Sequence, residues 1–449
     1  MSDRRKILEL FDAQKEATDE RVAEGIEKYR KGNAKICVLD KDGTPVSNAS
    51  VMVNQTSHEF RFGANIFMLD ELESEEKNEK YKKYFADLFN MATLPFYWNT
   101  LEPEEGKPRY SKDSAKIYRR PPIDLCIEFC EKHGIEPREH ALAYDHFFPS
   151  WLENASIEKI KSAYERRCAE ISERYADKIP TIEVTNEMEW KEGNTAFYDE
   201  PDFVEWCFKT AEKYFPNNTL GINEWTGLSW EDRCRTTDKY YSYIEANMLK
   251  GARIDAIGMQ YHLFFKKEEA YDRTRTLLNP EKLYKHMDMY ARFNKPLQVT
   301  EVTVPAYSWE KEDEDVQAEI IDKLYSVWFS HPAVEQIVYW NVVDGYAHVW
   351  DPDPEKIRQT QGNMTVGENY YHGGLLRFDM SPKPAYYKIK ELLQERWHTK
   401  ENLTLSDSGT VEFRGFYGKY DVEITVDGKR VVKEISLSKN SNNEFVINL

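Results

Sequence analysis

The chain has 449 residues, and its 61 Lys and Arg against 79 Asp and Glu give a formal net charge of −18 at pH 7. So acidic a chain is not expected to bind nucleic acid, and 41% hydrophobic residues suffice for the core of a large domain. No apolar run of about 18 residues could span a membrane, and residues 1–22 lack the apolar core of a signal peptide. The sequence therefore predicts a cytoplasmic protein without a membrane partner. A secreted protein whose signal peptide had been removed would begin in the same way.

The six cysteines show no spacing typical of a metal site or of a disulfide framework. Cys126 and Cys130 lie four residues apart in a helix-like stretch, where two buried apolar side chains are a simpler interpretation than metal ligands. We therefore expect free thiols, no bound metal and no cofactor.

The first sixty residues precede the main domain. Residues 1–34 are rich in charge and carry apolar side chains at roughly helical spacing, which predicts an N-terminal helical segment. Residues 35–60 contain two alternating apolar runs joined by Asp-Gly and Pro, the pattern of a β-hairpin.

Residues 61–398 alternate eight times between a short apolar strand and a helix-like stretch. This order predicts an α/β fold, the (β/α)8 or TIM barrel. An open doubly wound sheet is the structural alternative, but the first strand is not followed by the Gly-rich turn GxGxxG that such a sheet would carry. The predicted strands are FGANI at 62, ATLPFYW at 92, REHALAY at 138, TIEVTNE at 181, TLGINEW at 219, IDAIGMQYH at 254, LQVTEVTV at 297 and EQIVYWNVVD at 335.

Residues 399–449 change to a two-residue alternation interrupted by Gly turns, which predicts a small C-terminal β module. A sheet of this size is marginal alone, and the hairpin at 35–60 could complete it and so join the two ends of the chain. We expect the module to stabilise the barrel rather than to bind sugar, because it lacks a cluster of Trp.

Acidic side chains close two of the predicted barrel strands. The fourth strand ends in Asn186 and Glu187, and the seventh ends in Glu301. Functional side chains of such barrels project from the C-terminal ends of the strands, so both acids are expected at one mouth. Two carboxyl groups facing each other there suit glycoside hydrolysis, in which one protonates the leaving oxygen and the other attacks the anomeric carbon.

An ordered set of motifs across the barrel resembles the retaining xylanases of glycoside hydrolase family 10. No single short motif is specific, but their order and spacing match that family over most of the barrel. The matching pieces are VTNE at 184–187, INEW at 222–225, GMQYH at 258–262, VTE at 299–301, VYWNVVDG at 338–345 and KPAYY at 383–387.

The resemblance implies roles for seven residues. Glu187 corresponds to the general acid/base and Glu301 to the nucleophile. Asn186 corresponds to the residue that binds the 2-hydroxyl of the cleaved sugar, and His262 to a hydrogen-bond partner of Glu301. Gln260 would shape the same pocket, Trp340 would form an aromatic wall and His140 would contact the same sugar; a structural histidine is the alternative for His140 and His262, and a core role for Trp340.

Two further residues are expected to contact substrate. Tyr144 stands where the family has a Trp, and Trp225 would stack on the sugar of the aglycone side.

The departures from the family concern the sugars on the non-reducing side of the cut, the glycone. The family's Glu-Asn-x-x-Lys-Trp on the second strand is replaced so that only Trp98 persists, and its strand-three Trp and Gln become Tyr144 and Phe147. The Asp two residues after the nucleophile becomes Thr303. We therefore expect an apolar wall in place of a polar glycone cleft, formed by Thr93, Leu94, Phe96, Tyr97 and Phe147.

The leading hypothesis is a retaining glycoside hydrolase that cleaves β-linked oligosaccharides or glycosides and differs from xylanases in its glycone subsite. A true endo-1,4-beta-xylanase and a catalytically silent carbohydrate-binding barrel are the alternatives. A metal-dependent isomerase or aldolase would need a cation site or a Lys at the barrel mouth, which the strand ends do not offer convincingly.

Overall fold

The computed structural model describes residues 4–189, 195–350 and 353–449. Residues 1–3 of the predicted N-terminal segment lie outside the described residues. The α-helices, in chain order, are α1 Glu9–Ala13, α2 Lys15–Tyr29, α3 Glu75–Leu88, α4 Trp98–Leu101, α5 Ile123–His133, α6 Ile157–Tyr175, α7 Phe203–Tyr214, α8 Thr226–Trp230, α9 Lys239–Leu249, α10 Ala270–Arg273, α11 Pro280–Tyr290, α12 Lys311–Ser330, α13 Pro354–Thr360 and α14 Pro384–Glu391.

Fifteen strands are described, and eight consecutive ones close into a parallel barrel in the order β10-β3-β4-β5-β6-β7-β8-β9. This confirms the predicted (β/α)8 barrel. The strands are β1 Lys31–Leu39, β2 Ser50–His58, β3 Arg61–Asn65, β4 Met91–Pro95, β5 Glu136–His140, β6 Thr181–Asn186, β7 Thr219–Glu224, β8 Ala256–His262, β9 Leu297–Thr303, β10 Val334–Tyr339, β11 Lys400–Thr404, β12 Thr410–Phe416, β13 Gly418–Val426, β14 Lys429–Leu437 and β15 Glu444–Asn448.

The barrel strands are buried on both faces because helices cover the outside and side chains fill the inside. Every residue of β4, β6 and β9 is buried, polar residues included. Polar side chains inside β6 and β9 therefore depend on buried partners, many of them on other barrel strands, since water cannot reach them.

The two N-terminal strands belong to two different sheets, so the predicted hairpin is wrong. β1 lies between β12 and β15, whereas β2 lies between β11 and β13, with β14 at the edge. The ten residues between β1 and β2 carry the chain from one sheet to the other instead of turning it back. Period-two alternation predicts strands but does not identify their partners, and the C-terminal strands compete for the same edges.

The two sheets pack face to face around one apolar core, which forms a seven-stranded sandwich from both ends of the chain. Trp397 joins the sandwich to the barrel: its ring is buried and stacks on Phe329 at 4.3 Å between centroids and on Phe62 at 5.9 Å. α2 packs along α12, where Gly25 meets Ser330 so closely that a Cβ would lie 2.4 Å from the Ser330 carbonyl oxygen. The helical segment ends at Tyr29, a few residues before its predicted limit.

All six cysteines are free thiols, as predicted. In the part of the chain that the structure describes, no helix is both long enough and apolar enough to cross a lipid bilayer.

Candidate active site

The two predicted catalytic acids lie at the C-terminal ends of two barrel strands, β6 and β9, which are separated by β7 and β8. Glu187 follows β6 directly, and Glu301 lies near the end of β9. They are close enough for the negative charge of Glu301 to raise the pKa of Glu187. The structure therefore brings the two acids together at the mouth where such barrels carry their active sites.

Glu301 is held by hydrogen bonds to both carboxylate oxygens. Asn223 donates from Nδ2 to Oε1 over 3.1 Å, and His262 Nε2 lies 3.2 Å from Oε2. The other ring nitrogen of His262 lies 2.9 Å from the Thr303 hydroxyl, so Thr303 orients this histidine where the family carries an Asp. These contacts fix both oxygens of a buried carboxylate, as a nucleophile of defined direction requires.

Glu187 is held from both sides by donors, Gln260 on β8 and Tyr144 in the loop after β5. Gln260 donates from Nε2 to Oε1, and the Tyr144 hydroxyl donates to Oε2, each over 2.8 Å. Burial raises the pKa of Glu187, and the charge of Glu301 raises it further, while the two hydrogen bonds act in the opposite direction. Its backbone has a φ of 51°, a left-handed conformation that is uncommon outside Gly and typical of functional positions.

Asn186 links the two acids through its carbonyl oxygen. Its Oδ1 accepts hydrogen bonds from Asn223 at 2.9 Å and from Gln260 at 3.2 Å. Its amide nitrogen Nδ2 has no acceptor among the described residues. Two donors to one oxygen fix the orientation of the amide, which leaves its N–H groups available for a ligand.

A buried ionic layer lies beneath these residues. Glu183, on β6, forms an ion pair with Arg138 and accepts a hydrogen bond from Asn223 over 3.3 Å. Its other close partner is His140, whose Nδ1 lies 2.8 Å from Glu183 Oε1. Burial alone would raise the pKa of Glu183, but Arg138 and His140 outweigh it and hold the pKa below its ordinary value. Glu183 is therefore an ionised anchor for the layer above.

The position of His140 does not favour the direct sugar contact that the resemblance implies. It is 1% exposed, and its two ring nitrogens lie against Glu183 and against the Tyr97 hydroxyl, the latter at 3.0 Å. Neither nitrogen is left for a sugar hydroxyl. The geometry instead favours a positioning role for His140 beneath Tyr97.

Aromatic rings form one wall of the site. Trp340 packs edge-on against Phe67 at 5.2 Å and against the ring of His262 at 6.1 Å. Tyr97 contacts Phe67 at 5.7 Å and Phe147 at 4.3 Å, again between ring centroids. The cluster places Trp340 beside His262, the partner of Glu301, while its predicted contact with substrate stays a prediction.

Three residues of the predicted apolar wall, Thr93, Leu94 and Phe96, are not part of it. Leu94 and Phe96 are 0% exposed, and the ring of Phe96 packs against Tyr175 at the end of α6. Thr93 is also fully buried. Because successive strand residues point to opposite faces, these side chains fill the barrel and the layer between barrel and helices instead of facing the mouth.

Trp225 opens α8, and its ring packs over Gly227, where a Cβ would lie 2.4 Å from the ring. The residue before it, Glu224, is fully buried and accepts backbone N–H groups from Glu189 at 3.1 Å and Trp225 at 3.2 Å. Burial raises the pKa of Glu224 to about 8, and the charge of Glu187 adds to the effect. The site thus holds a third carboxyl group that is largely neutral at pH 7.

His140, Glu183 and Glu301 bring possible metal-ligand atoms within 4.8 Å of one another. Their geometry fits a hydrogen-bonded network better than a metal site. The Arg138 guanidinium already supplies the positive charge at Glu183, and Asn223 donates to both carboxylates.

Sequence reasoning missed several groups that complete the site. Glu183 and Arg138 could have been predicted as a pair. Each lies within a buried strand, Glu183 in TIEV and Arg138 in REHA on the adjacent strand, and a buried acid needs a cation. Asn223 was noted only as part of the motif INEW at 222–225, and no role was predicted for it. Glu224 likewise appeared only within the motif at 222–225, and no sequence pattern indicates that Phe67 belongs to the site.

A family model described as Glycosyl hydrolase family 10 matches residues 55–392. Among curated relatives, Endo-1,4-beta-xylanase 2 of Arabidopsis thaliana is 25% identical over 452 residues, which cover 98% of this chain and 37% of that protein. Anti-sigma-I factor RsgI6 of Acetivibrio thermocellus is 27% identical over 419 residues, which cover 90% of this chain and 46% of that protein. This chain thus spans less than half the length of either relative.

Solved structures show the same fold. Xylanase 10B from Thermotoga maritima superimposes with a TM-score of 0.59 and 21% sequence identity, covering 75% of this chain and 96% of that chain. Xylanase 10B from Thermotoga petrophila RKU-1, solved in complex with xylobiose, gives a TM-score of 0.58 at 21% identity and covers 75% and 95%. At this identity the likeness establishes the barrel and not the substrate.

Proposed function

The chain belongs to glycosyl hydrolase family 10, and on that premise we propose that it hydrolyses β-linked oligosaccharides or glycosides with retention of anomeric configuration. One observation carries the proposal: Glu187 and Glu301 interact at one barrel mouth, and burial together with the charge of Glu301 raises the pKa of Glu187, which favours the protonated form that a general acid needs. A retaining mechanism needs this division between a protonated acid and an ionised nucleophile.

In the first step a carboxylate oxygen of Glu301 attacks the anomeric carbon while Glu187 protonates the departing glycosidic oxygen. His262 and Asn223 hold the attacking carboxylate. The free amide N–H of Asn186 is suited to the 2-hydroxyl of the same sugar, a contact that strengthens as positive charge develops at the anomeric carbon.

In the second step Glu187 removes a proton from water, and the water oxygen displaces Glu301 from the anomeric carbon. Esterification of Glu301 removes the negative charge that had raised the pKa of Glu187. The pKa of Glu187 therefore falls, and its carboxyl group ionises more easily, which suits its change from acid to base.

The proposed substrate is a short β-linked oligosaccharide of the xylan type. Its support is the family and the names of the relatives, which are endo-1,4-beta-xylanases, and one similar structure that holds xylobiose. A changed glycone subsite is part of the proposal, because Tyr97 and Phe147 stand where the family has polar groups. A true endo-1,4-beta-xylanase is the alternative.

Turnover of aryl β-xylosides and β-xylobiosides tests the proposal, with and without a chelator and beside Glu301→Ala. We expect chelator-insensitive release of the phenol by the unaltered protein and none by Glu301→Ala. No turnover on any β-glycoside, with sugar binding intact, would indicate a silent binding barrel. Loss of activity with chelator would indicate a metal enzyme.

A further inference from the structure

Two consecutive arginines, Arg119 and Arg120, lie in the loop between β4 and α5 and pack against the aromatic wall. They are 4% and 6% exposed. The guanidinium carbon of Arg120 lies 3.8 Å from the centroid of the Tyr97 ring, and that of Arg119 lies 5.4 Å from the centroid of Phe67. This loop follows the second barrel strand, which in the family resemblance carries the glycone-binding residues.

Neither arginine has a carboxylate partner. Among the described residues, no Asp or Glu oxygen lies within 4.0 Å of either guanidinium. Arg119 donates one hydrogen bond, from Nη1 to the Tyr346 carbonyl oxygen over 2.6 Å, and Arg120 donates one, from Nη1 to the Arg119 carbonyl oxygen over 2.9 Å. Their Nε atoms are buried without any partner.

Other buried arginines of this protein have either a carboxylate or several carbonyl partners. Arg109 and Arg167 each donate to three different backbone carbonyls. Arg138 also has buried nitrogens without a partner, but its charge is compensated by the ion pair with Glu183. A buried guanidinium offers five N–H donors, and leaving most of them unpaired is costly. The pair at 119 and 120 has neither form of compensation among the described residues.

The positive charge of the pair also acts on a neighbouring histidine. His348 is half-buried beside the pair, and desolvation, together with the charges of both arginines and of His146, lowers its pKa well below the ordinary value. Among the described residues, the acid Glu368 is within electrostatic range of Arg119 but accepts its hydrogen bond from Asn341 over 2.5 Å. Burial raises the pKa of Glu368, so it compensates the two arginines poorly.

A short path of contacts connects the pair to the cleavage site. Arg119 packs on Phe67, whose ring meets Trp340 at 5.2 Å, and Trp340 meets His262, the partner of Glu301. The Tyr97 ring under Arg120 is hydrogen-bonded to His140. The arginine pair therefore belongs to the same aromatic cluster as the groups that hold Glu301.

We propose that Arg119 and Arg120 bind the carboxylate of a uronic acid carried on the glycone side of the substrate. The inference rests on the proposed function and specifies its substrate class. A guanidinium presents its N–H groups in a planar fork that matches a carboxylate, and two adjacent forks suit one carboxylate better than a neutral hydroxyl group.

The test uses two ligands that differ only in the charged group. One is xylotriose with glucuronic acid on its non-reducing xylose, and the other is the same compound with the carboxylate reduced to a primary alcohol. Binding is measured by titration calorimetry to Glu301→Gln, which prevents cleavage. We expect the acidic sugar to bind roughly 10-fold or more tightly than its neutral twin, as for a charged hydrogen bond in a desolvated site.

Variants in the same background locate the preference. We expect Arg120→Gln and Arg119→Gln to abolish it, and Arg120→Lys to reduce it because an ammonium cannot make the two-point contact. Arg430→Gln, at an exposed arginine on β14 that pairs with Glu423, should preserve it. The ratio of the two binding affinities is measured within each variant, so each variant serves as its own reference. Thermal melting identifies any variant that fails to fold.

Equal binding of the two sugars by Glu301→Gln, binding of neither, or an unchanged preference in both Gln variants would overturn the proposal. Its failure is distinguishable from failure of the proposed function. Turnover of neutral aryl β-glycosides does not involve the carboxylate, and binding to the nucleophile variant does not require turnover.

Discussion

Replacing Tyr144 with Phe should move the alkaline limit of activity to higher pH. The Tyr144 hydroxyl donates to Glu187 Oε2 over 2.8 Å and so stabilises the ionised form of that acid. In the unaltered protein this hydrogen bond lowers the pKa of Glu187, against the larger upward effects of burial and Glu301. Tyr144→Phe removes a lowering contribution, and the pKa of Glu187 should rise.

The size of the change follows from the difference between a charged and a neutral hydrogen bond. A hydrogen bond to a charged group contributes ~1.5–3 kcal/mol and one between neutral groups ~1 kcal/mol, so the ionised form loses about 1–2 kcal/mol more than the protonated form. Since ~1.4 kcal/mol corresponds to one pKa unit, the expected rise is about one unit. Gln260 continues to donate to the other oxygen and limits the effect.

The assay is the pH dependence of kcat/KM on an aryl β-xylobioside with a poor leaving group, because its cleavage needs a protonated Glu187. Activity is lost as pH rises through the pKa of Glu187, so the alkaline limb should move up by about one unit in Tyr144→Phe. Tyr386→Phe is the matched control, since that hydroxyl bonds Asp87 on the outside of the barrel. An unmoved limb, or one that moves to lower pH, would refute the reasoning.

Three further predictions concern the acids and the sandwich. Glu187→Ala should retain activity on aryl glycosides with good leaving groups, which need no proton, and should lose activity on natural substrates. Steady-state kinetics that show an equal loss of activity on both would contradict the role of Glu187 as the acid. Arg138→Leu leaves Glu183 buried without its cation, and urea unfolding should show that the free energy of unfolding falls by about 3–5 kcal/mol. A decrease of less than about 1 kcal/mol would contradict the interpretation of Glu183 as an ionised anchor. Truncation after Trp397 removes the partners of β1 and β2, and calorimetry should show a lower Tm without a selective rise in KM; an equally stable truncated protein would contradict the structural role.

The barrel was predictable because its signal is repeated eight times along the chain. Each apolar strand and amphipathic helix gives weak evidence alone, but their alternation has few structural solutions. The sandwich was not predictable in the same way. Strands β1 and β2 are adjacent in sequence but pair with strands about 370 residues away, and local alternation carries no information on such partners.

The residues of the candidate site were also only partly predictable from the sequence. Glu187, Glu301 and Asn186 end strands, so the fold itself brings them to one mouth. Tyr144 was predicted as a substrate contact, yet its hydroxyl bonds Glu187, a detail that depends on side-chain direction. Arg119 lies in a loop of irregular structure, where neither periodicity nor a motif predicts which way a side chain points.

The anomeric configuration of the first product tests the central claim most directly. Hydrolysis of an aryl β-xylobioside can be followed by proton NMR faster than the released sugar mutarotates. A double displacement with Glu301 as nucleophile predicts that the β-anomer appears first and the α-anomer only as equilibrium is approached. Initial release of the α-anomer would show inversion and would contradict the assignment of Glu301 as nucleophile.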